Sequence, residues 1–381
     1  MSALSCCKKW SVLILAVVCT VLIIYYSTDL YGLVVFNEDT EFEDVSHLKK
    51  NVDTDHTVSF SATQKPSLSQ DVIDRVEKFV FFIGYPRSGH SIIGSFLDAH
   101  PHTIIAQEFK LFGNWRELFI VKQKTRKTVF QDKAYLFNAL YRSSVRASDA
   151  GWRSQNKDSK NYTINVDSPW LGKYDRYISV IGDKSGGMTS IAYKQSPENF
   201  TANYKQLQKT VGIPIKVLHC VRNPYDLVST SALYAAGRNP HHNTTKAMFV
   251  SSFRTDMSKL WGTSEFTKAR FDRESLLEKN IHQVENKASA VMKITDLVGA
   301  SNVLELHNSD LVRDPNSTIT KICTFLEIDC SPDYLQACSR KVFKSVSKSR
   351  ELVVWPQRLQ NMMKDLIENY PFFHGYSFTS E

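Results

Sequence analysis

Short apolar runs alternate with longer amphipathic segments along most of this chain, and the alternation predicts its elements. Runs of four to seven apolar residues are typical of buried strands, whereas apolar residues three and four apart indicate helices. The strand candidates are residues 79–83, 103–106, 177–181, 215–221 and 303–306. The clearest helices are residues 274–298 and 318–326, while weaker patterns at 110–155 and 240–273 predict further helices and loops. Strands alternating with helices imply an α/β fold, a single domain whose central parallel sheet is flanked by helices.

The N-terminal region differs from the rest of the chain and predicts a membrane anchor with a stem. Residues 10–26 carry no charge, and as a helix they would span about 26 Å, enough for a thin bilayer. Lys8 and Lys9 precede this run and acidic residues follow it, a charge order that places the N-terminus in the cytosol. We therefore expect a cytoplasmic tail at 1–9, a transmembrane signal-anchor at 10–27, a flexible stem at 28–70 and a lumenal domain at 71–381. The alternative is a cleaved signal peptide, although no clear cleavage site follows the run.

The net charge, the glycosylation sequons and the cysteines bear on the expected ligands and on the lumenal location. A net charge of +8 without a basic arm favours anionic ligands over nucleic acid as partners. The sequons in the predicted lumenal part are Asn161, Asn199, Asn243 and Asn316. Cys330 and Cys338 would close a short loop and are the favoured disulfide pair in an oxidising lumen. Cys220 lies on a predicted buried strand, so we expect it to remain a free thiol.

Residues 79–101 combine a strand, a glycine-containing turn and an amphipathic helix, an arrangement that forms an anion site. Free backbone N–H groups and the positive end of a helix dipole converge at such a turn, where a phosphate can bind. The spacing of Gly84, Gly89, His90 and Ser91 nearly matches a Walker A loop, except that His90 replaces the lysine. The cation inside the loop is an arginine, at position 87. This P-loop-like domain is therefore predicted to bind a phosphate-bearing donor other than an ordinary nucleoside triphosphate.

Two further segments complete a recognisable set of motifs. Residues 215–221 lead into Arg222 and the sequence Arg-Asn-Pro-Tyr-Asp, in which Asp226 is expected to cap the following helix. Residues 303–329 predict a strand, an acidic turn, an Asp-Pro helix start and a helix that ends in Phe-Leu. With the glycine loop, these segments occur in the order found in the sulfotransferase family. The chain resembles that family from about residue 78 to residue 378.

The resemblance implies that the sulfuryl donor is 3′-phosphoadenosine-5′-phosphosulfate (PAPS). In the family the first loop holds the 5′-phosphosulfate, while the Arg-Asn-Pro segment and a later hydroxyl hold the 3′-phosphate. Arg87 would then clamp the phosphosulfate, and the family spacing makes Thr230 the partner of Arg222, with its serine neighbours as substitutes. No metal is required if cations do this work. The residues expected to bind the donor are Arg87, Ser88, Gly89, His90, Ser91, Arg222, Ser229, Thr230 and Ser231.

The candidates for the chemistry are Arg87, His90, Glu108, Asp183 and Lys184. Glu108 follows the second predicted strand, in a position similar to that of a glutamate base in carbohydrate sulfotransferases. Asp183 and Lys184 resemble the Glu-Lys-Ser/Thr element of heparan-type sulfotransferases, in which the lysine faces the sulfate. Lys184 is therefore a second candidate cation, and the base is left open between Glu108, Asp183 and His90. Because strand ends of a parallel sheet meet at one edge, these residues are expected to converge there.

The most specific interpretation is a Golgi type II membrane sulfotransferase of the carbohydrate type, whose acceptor is a hydroxyl on a glycan or glycoprotein. A tyrosylprotein sulfotransferase is the nearest variant, since such enzymes also have a Pro-Arg-Ser-Gly loop. Two less favoured interpretations are a P-loop kinase and a non-catalytic lumenal glycan-binding protein on the same fold. The basic run at 340–350 resembles a loop that covers the nucleotide, but it could equally be a solvated face. The acceptor and the oligomeric state stay open.

Overall fold

The computed structural model describes residues 66–116, 120–122, 128–130, 132–149, 166–168, 170–237 and 274–380. The expected tail, the transmembrane segment and most of the stem lie outside these ranges, as do Asn161, Asn243 and the segment 240–273. Within the described ranges, every helix is too short or too polar to cross a lipid bilayer. The packed domain already includes Leu68, whose side chain lies in the core and whose N–H donates to Asn138 Oδ1 at 2.7 Å.

The centre of the domain is a five-stranded parallel sheet. Its strands are β1 (Lys78–Gly84), β2 (Thr103–Gln107), β5 (Val180–Lys184), β6 (Ile215–Val221) and β7 (Val303–His307). Their order across the sheet is β2-β5-β1-β6-β7, so β1 has a hydrogen-bonded strand on each side. The expected α/β fold is confirmed. A two-stranded antiparallel hairpin, β3 (Ile120–Lys122) and β4 (Thr128–Phe130), lies in the region where only helices and loops were predicted.

Helices connect the strands and flank the sheet. In chain order they are α1 (Gln70–Asp74), α2 (His90–Asp98), α3 (Lys133–Asp149), α4 (Gly186–Gln195), α5 (Pro197–Val211), α6 (Pro224–Gly237), α7 (Glu274–Val298), α8 (Asn308–Arg313), α9 (Pro315–Leu326), α10 (Pro332–Ser339) and α11 (Gln357–Asn369). The predicted helix at 274–298 agrees with α7. The helix predicted from residue 318 begins three residues earlier, because Asp314 caps it by accepting from Ser317 N and Pro315 occupies its first turn.

Alternate side chains of β1 enter two separate cores. Phe79, Phe81 and Ile83 pack on one face with residues of α5, α6, α7 and α11. Val80 and Phe82 pack on the other face with residues of α2, α9 and α10. Each fully buried apolar side chain contributes roughly 1.5–3 kcal/mol to folding. Burial on both faces explains why this strand is a continuous apolar run and not an alternating one.

The position of β5 differs from the prediction. The apolar run at 177–181 was read as the strand, but pairing with β1 and β2 begins only at Val180 and continues through Lys184. Tyr177 instead stacks on the ring of His102 and is partly exposed. A Cβ at Gly182 would overlap the backbone oxygen of Val80, so glycine allows the two strands to pair here. Asp183 and Lys184, which were expected to follow the strand, therefore belong to it and are buried.

The disulfide also differs from the prediction. Cys323 pairs with Cys330, at a Cα–Cα distance of 6.2 Å, and the predicted partner Cys338 is a buried free thiol. The reason lies at the end of α9, where Glu327 adopts a left-handed backbone with φ of 54° and turns the chain back. The turn brings Cys330 back to the last helical turn, whereas Cys338 on α10 faces the core. The prediction that Cys220 is a free buried thiol is confirmed.

Candidate active site

The loop after β1 has the geometry of an anion site. β1 ends at Gly84, and residues 85–89 form a tight turn into α2. Arg87 adopts a left-handed backbone with φ of 71°, and Gly89 follows with φ of 95°. A Cβ at Gly89 would lie 2.6 Å from Asn308 Nδ2, so a larger residue would clash at the start of the helix. Because Gly89 offers no capping side chain, the first N–H groups of α2 can serve an anion.

Glu108, Lys184 and Ser91 meet beside this loop, although they come from three different elements. Lys184 has no exposed surface, and its Nζ lies 2.7 Å from Glu108 Oε1 and 3.4 Å from Ser91 Oγ. The Nε2 atom of His90 lies 3.6 Å from the same carboxylate oxygen. Burial alone would raise the pKa of Glu108, but the contact with His90 and the charge of Lys184 outweigh it and lower the pKa to about 2. Glu108 is therefore an ionised carboxylate.

His90 is a neutral imidazole in this arrangement. Burial lowers its pKa, and the nearby charge of Lys184 lowers it further, while the contact with Glu108 only partly compensates. Its Nδ1 lies 3.2 Å from Ser88 Oγ. Its Nε2 therefore faces the Glu108 carboxylate, while its Nδ1 faces the serine hydroxyl. The ring thus links the loop to the Glu108 carboxylate.

Asp183 lies in the same region, but its carboxylate faces the backbone that follows β2. Its oxygens accept from Phe109 N at 3.1 Å, from Leu111 N at 2.9 Å and from Ser185 Oγ at 2.9 Å. The side chain is buried, and burial raises its pKa to about 6 despite these bonds. The contacts place Asp183 against its own chain and leave Glu108 as the carboxylate beside the loop.

Arg222 comes from the end of β6 and binds the loop directly. Its Nη1 donates to the backbone oxygen of Arg87 at 3.0 Å, and its Nη2 donates to the backbone oxygen of Ser347 at 3.3 Å. The buried Nε has no hydrogen-bond partner within the described part of the chain. Burial and the neighbouring charges of Arg350 and Arg87 lower the pKa of Arg222, although Asp226 opposes them. A buried donor without an acceptor, among mutually repelling cations, is suited to an anion.

The three candidate hydroxyls on α6, those of Ser229, Thr230 and Ser231, have different surroundings. Thr230 is buried, and its Oγ1 lies 2.8 Å from Ser349 Oγ. Ser229 donates to the backbone oxygen of Tyr225 at 2.7 Å, one turn earlier in its own helix. Ser231 is half-buried. Thr230, the hydroxyl at the family spacing, is therefore the one in contact with the segment around Arg350.

Asp226 does not cap α6 as expected. Asn223 takes that position, because its Oδ1 accepts from Tyr225 N at 3.0 Å. Asp226 is fully buried and pairs with Arg350, which also has no exposed surface and donates to the backbone oxygens of Phe378 and Ser380. The sequence placed Arg350 only in a basic run that was read as a covering loop or a solvated face. Nothing in the local pattern indicated that this one cation of the run is buried.

The predicted residues thus form two adjoining groups. The carboxylate cluster consists of His90, Ser91, Glu108 and Lys184. The arginine cluster consists of Arg87, Arg222, Thr230, Ser349 and Arg350. The loop joins the two clusters, because Arg222 binds it at Arg87 O and His90 contacts it at Ser88 Oγ. Ser349 was not predicted, since only the basic residues of the run 340–350 were considered.

Comparison with known proteins agrees with this geometry. The family model of the sulfotransferase domain matches residues 77–374, well over half of the chain. The chain belongs to the sulfotransferase family. The enzyme class expected from the motifs is confirmed, and the chain is a PAPS-dependent sulfotransferase. None of the curated proteins compared with it matches.

Several solved sulfotransferase structures are similar to the chain at low identity. The sulfotransferase domain of the Synechococcus PCC 7002 olefin synthase is 17% identical, with 80% of this chain and 97% of that chain covered and a TM-score of 0.36. Sulfotransferase STF9 from Mycobacterium avium is 10% identical, with 79% of each chain covered and a TM-score of 0.38. Mouse sulfotransferase SULT7A1, complexed with PAP, is 12% identical, with 80% and 87% covered and a TM-score of 0.35. With scores this low, these likenesses add nothing to the family match.

Proposed function

We propose that this sulfotransferase transfers the sulfuryl group of PAPS to a hydroxyl of a glycan in the Golgi lumen. The observation that carries the proposal is the pairing of the two clusters at one edge of the sheet. An anion site lies beside an ionised carboxylate that is held by a buried lysine, and the site includes Arg222 Nε, which has no hydrogen-bond partner among the described residues. Sulfuryl transfer needs both, because charge grows on a leaving phosphate while a hydroxyl loses its proton.

The residues present fit the two ends of PAPS. The N–H groups at the start of α2 and the Arg87 guanidinium would hold the 5′-phosphosulfate. Arg222, through its free Nε, and Thr230 would hold the 3′-phosphate. PAPS supplies the sulfuryl group and a phosphate leaving group. The guanidinium of Arg87 has a planar fork of N–H donors, so it can bind that phosphate through two hydrogen bonds.

Glu108 is the residue we assign as the base, and Lys184 controls it. While Lys184 is paired with it at 2.7 Å, Glu108 is a very weak base. Lys184 Nζ also lies close to Ser91 in the first turn of α2, so the ammonium is within reach of an anionic group bound at the start of that helix. If Lys184 also interacts with that anionic group, it stabilises the Glu108 carboxylate less. The pKa of Glu108 then rises and Glu108 becomes a stronger base. The proton of the acceptor hydroxyl then moves to Glu108 as the sulfur is attacked.

The glycan acceptor and the Golgi location rest on sequence features. Two of the sequons, Asn199 and Asn316, are exposed on the described surface, where glycosylation in the secretory pathway requires them. The uncharged run at 10–26 and its charge order support a type II anchor. The glutamate base and the Asp-Lys-Ser element resemble carbohydrate-type and heparan-type enzymes. A tyrosylprotein acceptor is the second candidate, since the loop is common to both.

The test uses the full chain purified in detergent. Thermal stabilisation by 3′,5′-diphosphoadenosine (PAP), compared with ATP and magnesium, reports the donor site. Transfer from labelled PAPS is then measured to chondroitin, desulfated heparin, lactosamine oligosaccharides and a tyrosine-containing acidic peptide. Stabilisation by PAP with label on a glycan supports the proposal. Label on the peptide alone would move the chain to the tyrosylprotein class, and stabilisation only by ATP would contradict the donor assignment.

A further inference from the structure

Four consecutive backbone N–H groups after β2 are all bonded to the end of β5. Glu108 N donates to Lys184 O at 3.0 Å. Phe109 N and Leu111 N donate to the two carboxylate oxygens of Asp183, at 3.1 and 2.9 Å. Lys110 N donates to Ser185 Oγ at 2.8 Å, and the same hydroxyl donates to Asp183 at 2.9 Å. The carboxylate of Asp183 is therefore enclosed by the chain segment that carries Glu108.

The backbone of this segment adopts a conformation that is unfavourable in isolation. Glu108 and Lys110 are left-handed, with φ of 55° and 60°, although neither is glycine. Such residues persist only where the surrounding structure imposes them. Left-handed residues at alternate positions turn successive N–H groups towards one side, which is how a backbone encloses an anion. Asp183 and Ser185 provide the acceptors that make this conformation favourable.

The charge state of Asp183 agrees with this arrangement. Burial disfavours its ionised form and raises its pKa, with a smaller contribution from the negative charge of Glu108. The bonds from Leu111, Ser185 and Phe109 oppose that shift. Near neutral pH the carboxylate is ionised and can accept from both N–H groups, which a protonated acid could not do equally well.

We propose that Asp183 and Ser185 are positioning residues, which hold residues 108–111 so that the Glu108 carboxylate faces Lys184 and the loop. This inference rests on the proposed function, in which Glu108 is the base. Asp183 itself takes no proton from the acceptor. The Asp-Lys-Ser run therefore combines two tasks, because Lys184 contacts the base while the residues on either side of it fix the backbone that carries the base.

The principal test is Asp183→Asn in the full chain. The amide keeps one acceptor oxygen but presents an NH₂ group to the second backbone N–H, so one anchoring bond is lost. We expect kcat for sulfate transfer to a glycan to fall about 100-fold, as misplacement of a catalytic group by about 1 Å can do. Stabilisation by PAP should be unchanged, and hydrogen exchange at Phe109 and Leu111 should accelerate.

Ser185 offers a matched pair of variants in case the asparagine variant fails to fold. Ser185→Ala removes the acceptor for Lys110 N, whereas Ser185→Thr keeps the hydroxyl. We expect the alanine variant to lose kcat and amide protection at Lys110, and the threonine variant to retain most of both. Equal losses in the two variants, with a normal melting temperature, would overturn the proposal.

A double variant separates positioning from an independent role. If Asp183 acts through Glu108, adding Asp183→Asn to Glu108→Gln should lower kcat little further than Glu108→Gln alone. Additive losses, or wild-type kcat in a folded Asp183→Asn protein, would overturn the positioning role. Failure of the proposed function looks different: the wild-type chain would be folded, with slow exchange at residues 109–111, but would transfer no sulfate to any acceptor.

Discussion

Glu108, the proposed base, shows how strongly the charge state of a side chain depends on residues that are remote in sequence. Its place after β2 and its resemblance to a known glutamate suggested a base, and the structure puts it beside the loop. Its low pKa depends on His90 and on Lys184, and the latter is 76 residues away in sequence but 2.7 Å distant in space. No sequence pattern predicts that these two residues are in contact. The candidates could be selected from motifs, but the choice between Glu108 and Asp183 required their contacts.

Glu108→Gln is the first prediction at this scale. The amide preserves the shape of the side chain but cannot accept the hydroxyl proton as a base. We expect kcat to fall by about 100-fold to 10,000-fold, while stabilisation by PAP stays within about twofold of wild type. Equal loss of rate and of PAP binding would show that Glu108 binds the donor and is not the base.

Arg222→Ala should discriminate between nucleotides. The side chain is assigned to the 3′-phosphate, so affinity for PAP should fall about 100-fold, whereas affinity for adenosine 5′-monophosphate, which lacks that phosphate, should change little. Isothermal titration with the two nucleotides measures the difference. Arg75→Ala is the control, because Arg75 is exposed and forms an ion pair with Asp71 on the surface of α1.

Equal weakening of both nucleotides by Arg222→Ala would contradict the assignment to the 3′-phosphate. Arg87→Ala is expected to behave in that way, because the loop arginine is assigned to the 5′ end that both nucleotides share. Its loss should also reduce sulfate transfer by at least about 100-fold. The two variants should therefore differ in their affinity for adenosine 5′-monophosphate.

At the scale of elements, the sequence predicted a strand well where apolar residues extend from its first residue to its last, and failed where the strand ends in charged residues. β6 was predicted to the residue, since residues 215–221 are dominated by apolar side chains. β5 lies three residues later than predicted, because the charged residues Asp183 and Lys184 were expected to follow the strand and are instead buried within it. Their burial is made possible by partners on α2 and in the segment after β2. Those contacts form only in the tertiary fold, so the local sequence pattern cannot predict them.

The disulfide gives a prediction that belongs to α9 and the turn after it. Closing a loop of this length stabilises the folded state by about 2–3 kcal/mol in the chain-entropy description. Cys323→Ala and Cys330→Ala should therefore lower the free energy of unfolding by similar amounts. Guanidinium titration measures the loss, and peptide mapping without reduction should find these two cysteines linked.

Cys338→Ala provides the comparison for the disulfide. This thiol is buried and free, so its removal affects packing only, and a reducing agent should still destabilise the variant as it destabilises wild type. A crosslinked peptide that contains Cys338 would contradict the pairing. The sequence could not decide between the two pairings, because both close short loops.

At the scale of the whole molecule, stability should depend on pH through buried histidines. Burial lowers the pKa of His90, His100 and His219. Below a pH of about 6.5 the unfolded chain binds protons at these sites before the folded chain does, so the free energy of unfolding falls as the pH falls. Asp183 acts in the opposite direction, because its folded pKa is raised to about 6.

We therefore expect a lower melting temperature at a pH of about 5.5 than at about 7.5. Each buried histidine contributes up to about 1.4 kcal/mol of loss over this range, and Asp183 offsets about 1 kcal/mol. His219→Gln should flatten the dependence, whereas His282→Gln on the exposed face of α7 should not. A melting temperature independent of pH in the wild-type chain would show that the histidines are not held neutral.

The contacts of Asn223 and Arg350 with residues 377–380 have a consequence for how the protein is made. Asn223 Nδ2 donates to Ser377 O at 2.9 Å, and Arg350 bonds the backbone of Phe378 and Ser380. The glycine loop emerges from the ribosome early, whereas these residues emerge after every strand of the sheet. A nascent chain can therefore build its sheet during synthesis but cannot make these contacts until Ser380 has been synthesised. We expect the surroundings of Arg222 to be completed only then, when residues 377–380 pack against Asn223 and Arg350.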